Sequence, residues 1–210
     1  MALFGHEEKS HSRNIDFKYY KMIIAITGHT HGIGKAFAEQ LSKRGHEIIG
    51  ISRRDGENIR RVVHTATLIE PADLFINNAQ SNYAQTELLY EVWKRWANWM
   101  PPREKWIWNI STMLTQDPED YKAGGLNAES LGQYRTQKVA LEEASQQLRA
   151  KCKWPKISII RPGTVATNDE TNEGADVNVW VKSIIDTFTH NPNINIADIS
   201  VGWIDKRIPI

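Results

Sequence analysis

The chain has 210 residues, 40% of them apolar and 24% charged, enough for one globular domain with a real core. Lys and Arg number 26 against 25 Asp and Glu, a balance that offers no basic surface for nucleic acid and no cationic face for a membrane. No apolar run approaches the length of a membrane span, and the one cysteine, Cys152, excludes an internal disulfide framework and points to a reducing, cytoplasmic setting.

Residues 1–21 are polar, with His6, Glu7, Glu8, Lys9, Ser10, His11, Ser12 and Arg13 in sequence. No apolar core follows the charged start, so the segment reads as a tail or extension and not as a signal peptide. Residues 22–210 then form a single domain.

Met22–Ile26 is apolar and mostly β-branched, the pattern of a strand buried on both faces. A turn follows with Gly28, Gly32 and Gly34. From Ile33 the period becomes helical, with Ile33, Phe37 and Leu41 on one face and Gly45 as the stop. Strand, glycine turn and helix in that order make an anion site, because the helix N-terminus presents unpaired N–H groups and a partial positive charge. His29 and His31 lie in this turn without an acidic or Cys partner in reach, so no metal site is predicted.

A second strand falls within His46–Ser52. A nucleotide fold selective for NAD places Asp or Glu about 20 residues after the glycines to bind the ribose 2′-hydroxyl. Here that position holds Ser52, followed by Arg53 and Arg54. Guanidinium groups without the carboxylate suit a 2′-phosphate, which favours NADP(H) over NAD(H). His31 is placed to assist with that phosphate.

Between Arg54 and Ala72 there is room for a helix and at most a fragment of strand, around Arg61–Thr67. Asp73–Asn77 is a buried strand ending in Asn77-Asn78-Ala79-Gln80. Residues 86–99 have a helical period, with Leu88, Leu89, Val92, Trp93, Trp96 and Trp99 on a broad apolar face. That face serves either this chain's own sheet or a partner subunit. Pro101-Pro102 ends the helix. Lys105–Ser111 is the next strand. A Gly-, Asp- and Asn-rich loop from Thr112 to about Ser130, with Asp117-Pro118 and Gly124-Gly125, is placed to act as a substrate lid.

Ser130–Ala150 is a long helix with Leu131, Tyr134, Lys138, Leu141, Ser145 and Leu148 in one stripe. Lys156–Ile160 is a strand, continued by Arg161-Pro162-Gly163-Thr164-Val165-Ala166-Thr167. A helix over Asp176–Thr189 and a strand over Ile194–Val201 close the chain. This alternation predicts an α/β fold, a Rossmann-like doubly wound parallel sheet with helices on both faces.

Tyr134 and Lys138 stand four residues apart, so a helix sets them one turn apart on one face. A free phenol titrates near ~10 and is a sluggish acid–base group at neutral pH. A cation one turn away favours the phenolate and brings it into range. Cys152 has no recognisable base partner and reads as an inert thiol.

Five features occur in order: Thr27-Gly28-x-x-x-Gly32-x-Gly34, Asn77-Asn78-Ala79, a strand ending in Ser111, Tyr134-x-x-x-Lys138, and Pro162-Gly163. Together they resemble the short-chain dehydrogenase/reductase family from about residue 22 to 202. The resemblance implies an NADP(H)-dependent oxidoreductase that moves a hydride between the nicotinamide and a carbonyl or secondary alcohol. It implies catalytic roles for Ser111, which binds the substrate oxygen, for Tyr134, which transfers the proton, and for Lys138, which supports the Tyr and holds the nicotinamide ribose. Cofactor binding is expected of Gly28, His31, Gly32, Ile33, Gly34, Ser52, Arg53, Asn78, Ala79, Lys138, Pro162, Gly163 and Thr167. The family's helix pairing implies a homodimer or homotetramer, with a small-molecule substrate and no nucleic-acid or membrane partner.

The departures are equally specific. The interval from Ser111 to Tyr134 is longer than the family's, and the stretches before Asn77 and Ser111 are shorter. Gln80 replaces a glycine. The family's helix Asn, which holds a water in a proton relay, has no secure counterpart; Asn98 and Asn82 are the nearest. Two alternatives stay open on sequence alone. One is a non-catalytic NADP(H)-binding redox sensor, which the missing Asn favours and the intact Ser111, Tyr134 and Lys138 oppose. The other is a sugar-nucleotide epimerase or dehydratase, which the short chain after Pro162 opposes.

Overall fold

The computed structural model describes residues 21–100, 103–116, 128–167, 174–190 and 194–202. The expected tail over residues 1–20, the middle of the predicted lid (117–127) and residues 168–173 lie outside the described residues.

The main sheet has six strands: β1 (Ile23–Thr27), β2 (Glu47–Ile51), β3 (Leu74–Asn77), β4 (Trp106–Ile110), β5 (Lys156–Pro162) and β8 (Asp198–Val201). Their spatial order is β2-β1-β3-β4-β5-β8, and every neighbouring pair is parallel. Two-residue strands β6 (Val165–Ala166) and β7 (Ala175–Asp176) pair separately. Helices α1 (Gly32–Lys43) and α5 (Val177–His190) cover one face; α2 (Val62–Ile69), α3 (Ala84–Ala97) and α4 (Ala128–Arg149) cover the other.

Strand alternation distributes the apolar residues between two cores. Ala25, Phe75, Ile107 and Ile157 face α2, α3 and α4. Ile24, Ile26, Leu74, Ile76, Trp108, Ile110 and Ile160 face α1 and α5. The same alternation directs Asn109 and Ser111, which follow Ile107 by two and four residues, toward α4. The crossovers reverse direction between β1 and β3, so the crevice beyond their carboxyl ends is where a ligand of such a fold sits.

Three expectations change. The strand fragment near Arg61–Thr67 does not form. The β-branched run there is helical, because Thr65, Ala66 and Ile69 share one buried face and burial overrides local strand preference. The chain passes from β2 to β3 through this one helix, so β2 is an edge strand and the strand ending in Asn77 is third in sequence. Second, α3 begins at Ala84, ahead of the predicted residue 86, which takes Gln85 into the helix. Third, the last strand is confined to Asp198–Val201, and Ile194 is exposed.

The tryptophans of α3 pack on this chain's own core. Trp96 is buried, with Trp93 and Trp99 beside it. Trp96 and Trp99 also enclose Lys105, whose Nζ lies 4.6 and 4.5 Å from their ring centroids and donates to the carbonyls of Glu70 (3.2 Å) and Ala72 (2.5 Å). Burial lowers the Lys105 pKa to about 8, against the opposing charge of Asp73. The unfolded chain therefore binds the extra proton between pH 8 and the ordinary lysine value, and folding stability gained from this group rises with pH across that window. Thermal melts at pH 7, 8.5 and 10 should show a Tm that rises with pH, and Lys105→Met should reduce the rise. A wild-type Tm indifferent to pH in that range would contradict the burial of this ammonium.

Candidate functional site

The glycine turn has the geometry of a close approach. Gly28 has φ +73° and its N–H donates to the Ile51 carbonyl at 2.8 Å. A Cβ on Gly34 would lie 2.3 Å from the Gly28 oxygen and 2.6 Å from Asn78 Nδ2. Thr27 joins the turn to the end of β3: its Oγ1 accepts from the N–H groups of Asn78 (2.9 Å) and Ala79 (3.0 Å), and its carbonyl accepts from Asn78 Nδ2 (2.9 Å). Ile33 packs on the α1 core. A Cβ on Gly32 would meet Thr167 at 3.3 Å, so the segment after Pro162-Gly163 returns to the mouth of this turn. The Gly163 N–H donates to Val201 at 3.0 Å, which extends the β5–β8 ladder past Pro162.

A cavity of about 650 Å³ opens beside the turn. It brings together Gly28, His31, Ser52, Arg53 and Ala79 from the sequence-derived set, and adds Arg54 and Arg60. Arg60 Nε donates to Ser81 Oγ at 2.8 Å across the cavity. Among the described residues Glu57 is the carboxylate that lines it, bound by His64 at 2.9 Å. A carboxylate does approach the end of β2, three residues later than sought: Ser52 Oγ donates to Asp55 Oδ2 at 2.7 Å, and His29 Nε2 is 3.5 Å from the same oxygen. His29 stacks on Gly50, where a Cβ would come within 2.4 Å of its ring. His31 Nδ1 is 3.0 Å from Thr30 Oγ1. No cluster of three metal-ligating side chains occurs among the described residues.

Tyr134 and Lys138 lie on α4 as the four-residue spacing requires, and Lys138 Nζ is 5.6 Å from the Tyr134 ring centroid. Tyr134 is half-buried; Lys138 is 2% exposed. Lys138 Nζ donates to the Ile110 carbonyl (2.7 Å) and to Gln85 Oε1 (2.8 Å). Burial lowers its pKa to about 7, with the Glu142 charge working against that shift.

Ser111 is also buried, and its hydroxyl is committed. Oγ donates to Glu142 Oε1 at 2.5 Å. The same carboxylate accepts from Thr115 Oγ1 (2.8 Å) and from Arg161 Nε (3.0 Å) and Nη2 (2.7 Å). Burial opposes the Arg161 charge, but the hydrogen bonds to Glu142 and Asp198 outweigh it and raise its pKa. The next hydroxyl, Thr112, is buried at the same strand end and accepts from the Leu114 N–H at 3.4 Å.

Sequence reasoning missed Glu142, Arg161, Arg60 and Gln85. Glu142 had one available signal, since it continues the Tyr134–Lys138 stripe by one more turn. Neither candidate helix Asn reaches Lys138: Asn98 caps the far end of α3 and bonds Lys94, and Asn82 lies in the turn before α3 with φ +51°. Gln80, the departure from glycine, bonds through Nε2 to Gln137 Oε1 and so ties the end of β3 to α4. Cys152 Sγ is 2.9 Å from the Trp154 carbonyl.

No protein-family model matches the sequence, and no curated protein matches it. The fold is that of short-chain dehydrogenases. A short-chain dehydrogenase from Streptomyces avermitilis superposes with a TM-score of 0.67 at 16% identity, over 87% of this chain and 89% of that one. One from Burkholderia cenocepacia, in complex with NADP, gives 0.64 at 15% identity over 88% and 89%. An alcohol dehydrogenase from Thermococcus sibiricus, complexed with 5-hydroxy-NADP, gives 0.66 at 12% identity over 91% and 100%.

Proposed function

We propose that this chain is an NADP(H)-dependent oxidoreductase of the short-chain dehydrogenase type, acting on a carbonyl or secondary alcohol. One observation carries the reading. Gly28, Ser52, Asn78, Ser111 and Gly163 all follow the last residues of adjacent parallel strands, so they share one edge of the sheet, and the ammonium of Lys138 is anchored at that edge on Ile110. A nucleotide on the glycine turn would then lie at the same end of the sheet as Tyr134 and Lys138.

The residues fit the dinucleotide. Gly28, Gly34 and the first turn of α1 would receive the pyrophosphate, Thr167 and Pro162-Gly163 would close on it, and the arginine-lined cavity would take the adenosine end. When bound, NADPH supplies the hydride. Tyr134 would give a proton to the oxygen of the carbonyl as it becomes an alkoxide, and Lys138 would hold the ribose hydroxyls and support the phenolate left behind. The test is NADPH oxidation against a panel of aldehydes, ketones and quinones. Tight NADPH binding with no turnover on any of them would favour the redox-sensing alternative.

NADP(H) is preferred over NAD(H) because Arg53, Arg54 and Arg60 outnumber Glu57 around the cavity. Ser52→Asp would set a second carboxylate beside Asp55, facing the phosphate. It should weaken NADPH binding by at least about tenfold relative to NADH, read by fluorescence titration of both cofactors. An unchanged ratio would place the 2′-phosphate elsewhere.

The strand-end hydroxyl divides into two candidates. Ser111 Oγ donates to Glu142, and Thr112 Oγ1 accepts from the Leu114 N–H. Strand alternation turns Ser111 toward α4, which carries Tyr134 and Lys138, and turns the extended Thr112 to the opposite face. Substrate polarisation is accordingly assigned to Ser111, whose hydroxyl can rotate from Glu142 to a substrate oxygen. Ser111→Ala should lower kcat by roughly 10²-fold, and Thr112→Val should leave kcat nearly unchanged. Steady-state kinetics on both variants check this; the reverse pattern moves the role to Thr112.

A further inference from the structure

Lys138 is held by neutral groups. An ammonium has three N–H donors, and two of them are taken inside the protein, by Gln85 Oε1 and the Ile110 carbonyl. Gln85 is itself 2% exposed. Its Nε2 donates to the Asn77 carbonyl at 2.6 Å and to the Ile110 carbonyl at 3.2 Å. Those bonds fix the amide: turned over, its NH2 would face the ammonium and its oxygen would face two carbonyls. Asn77 Nδ2 bonds the Gln85 carbonyl (3.0 Å) and Asn109 Oδ1 (2.9 Å), and Asn109 Nδ2 reaches Ser145 Oγ (2.9 Å) on α4. A buried amide ladder thus runs from α3 through β3 and β4 back to the helix that carries Lys138.

Among the described residues the charged and titratable groups near Nζ are few. On α4 they are Tyr134, one turn before, and Glu142, one turn after. Glu142 is saturated by Ser111, Thr115 and Arg161, and Arg161 extends to Asp198 on β8. From α3, β3 and β4 the groups that meet the ammonium are amides and carbonyls.

We infer that Gln85 is the positioning residue for Lys138, holding its ammonium at the carboxyl end of β4 by direct contact, a task for which the sequence offers no secure helix Asn. The inference rests on the proposed function for the role of Lys138 and on geometry alone for the contact. Because the oxygen stabilises the charged form, its loss should move the titration of Lys138 down and a carboxylate in its place should move it up.

The test is NMR on protein carrying 13Cε-labelled lysine, with the Lys138 resonance assigned through Lys138→Arg. Gln85→Met should lower the Lys138 titration midpoint by about one unit, and Gln85→Glu should raise it by at least about as much. In the unmutated protein the Gln85 side-chain amide should titrate with the Lys138 midpoint, a measurement that needs no variant to fold. A silent amide, or midpoints unmoved in both variants, overturns the inference. The pH profiles of kcat for the two variants should shift in the same opposite directions. Profiles that stay fixed while the wild type turns over overturn the positioning role. NMR shifts as expected in a protein with no turnover leave the contact standing and overturn the enzymatic reading instead.

Discussion

Tyr134→Phe should lower kcat by roughly 10²–10⁴-fold, the range that a positioned acid–base group contributes, while the Kd for NADPH stays within about threefold. The substitution removes one oxygen and keeps the ring, so the cation–π contact with Lys138 Nζ at 5.6 Å persists, and helix propensity barely changes. The loss should therefore fall on proton transfer and spare nucleotide binding. Lys138→Met should behave differently. It leaves Gln85 Oε1 without its donor and the Ile110 carbonyl with only the Gln85 Nε2 bond, at a cost on the order of 1–3 kcal/mol for the buried acceptor left unpaired, so turnover, cofactor affinity and Tm should fall together. Single-turnover hydride transfer with NADPH already bound separates the cases. Normal turnover in Tyr134→Phe would remove the phenol from the mechanism. Loss of NADPH binding in that variant would mean that the hydroxyl, and not the ring alone, is needed to hold the nucleotide.

The parts of this site that can be read in the sequence are those set by local geometry. A buried strand, a glycine turn and an amphipathic helix are consecutive, so Met22–Leu41 announces its fold and the ligand class proposed for it. Tyr134 and Lys138 are one helical turn apart, and that spacing places them together in any helix. The α2 region is less legible because its length suits one crossover but its composition, Val62, Val63, Thr65 and Thr67, suits a strand. Only the buried face of Thr65, Ala66 and Ile69 against α3 decides the matter. Ser111 stands out in the sequence as a hydroxyl at a strand end. What that hydroxyl does depends on Glu142 and Arg161, 31 and 50 positions later, and no periodicity links them. Gln85 is hidden for a similar reason: its partner lies 53 residues away on another helix. The carboxylate near Ser52 escapes because Asp55 returns through the turn Arg53–Asp55 to meet a side chain three residues behind it.

Gly34→Ala sets two physical effects of opposite sign against each other. Gly34 is the third residue of α1 and is not among the positive-φ glycines, so helix propensity alone says that alanine should stabilise the helix by about 1 kcal/mol. The added methyl, however, would stand 2.3 Å from the Gly28 oxygen and 2.6 Å from Asn78 Nδ2. Both are fixed: the Gly28 N–H is bonded to Ile51, and Asn78 is bonded through its side chain to the Thr27 carbonyl. Relief requires the helix to move off the strand end by about an ångström, and a displacement of that size at a reacting or binding centre costs about 10²-fold. Steric collision should win, giving a lower Tm and an NADPH Kd raised by at least about 10²-fold. Gly45→Ala is the matched control. Gly45 has φ +90°, and a methyl added there would meet no atom within 4 Å, so it should lose only the roughly 1–2 kcal/mol of left-handed strain and bind NADPH normally. If Gly34→Ala instead raised Tm and kept its affinity, α1 would be free to move off the end of β3, and this turn would not be the cradle on which the nucleotide rests.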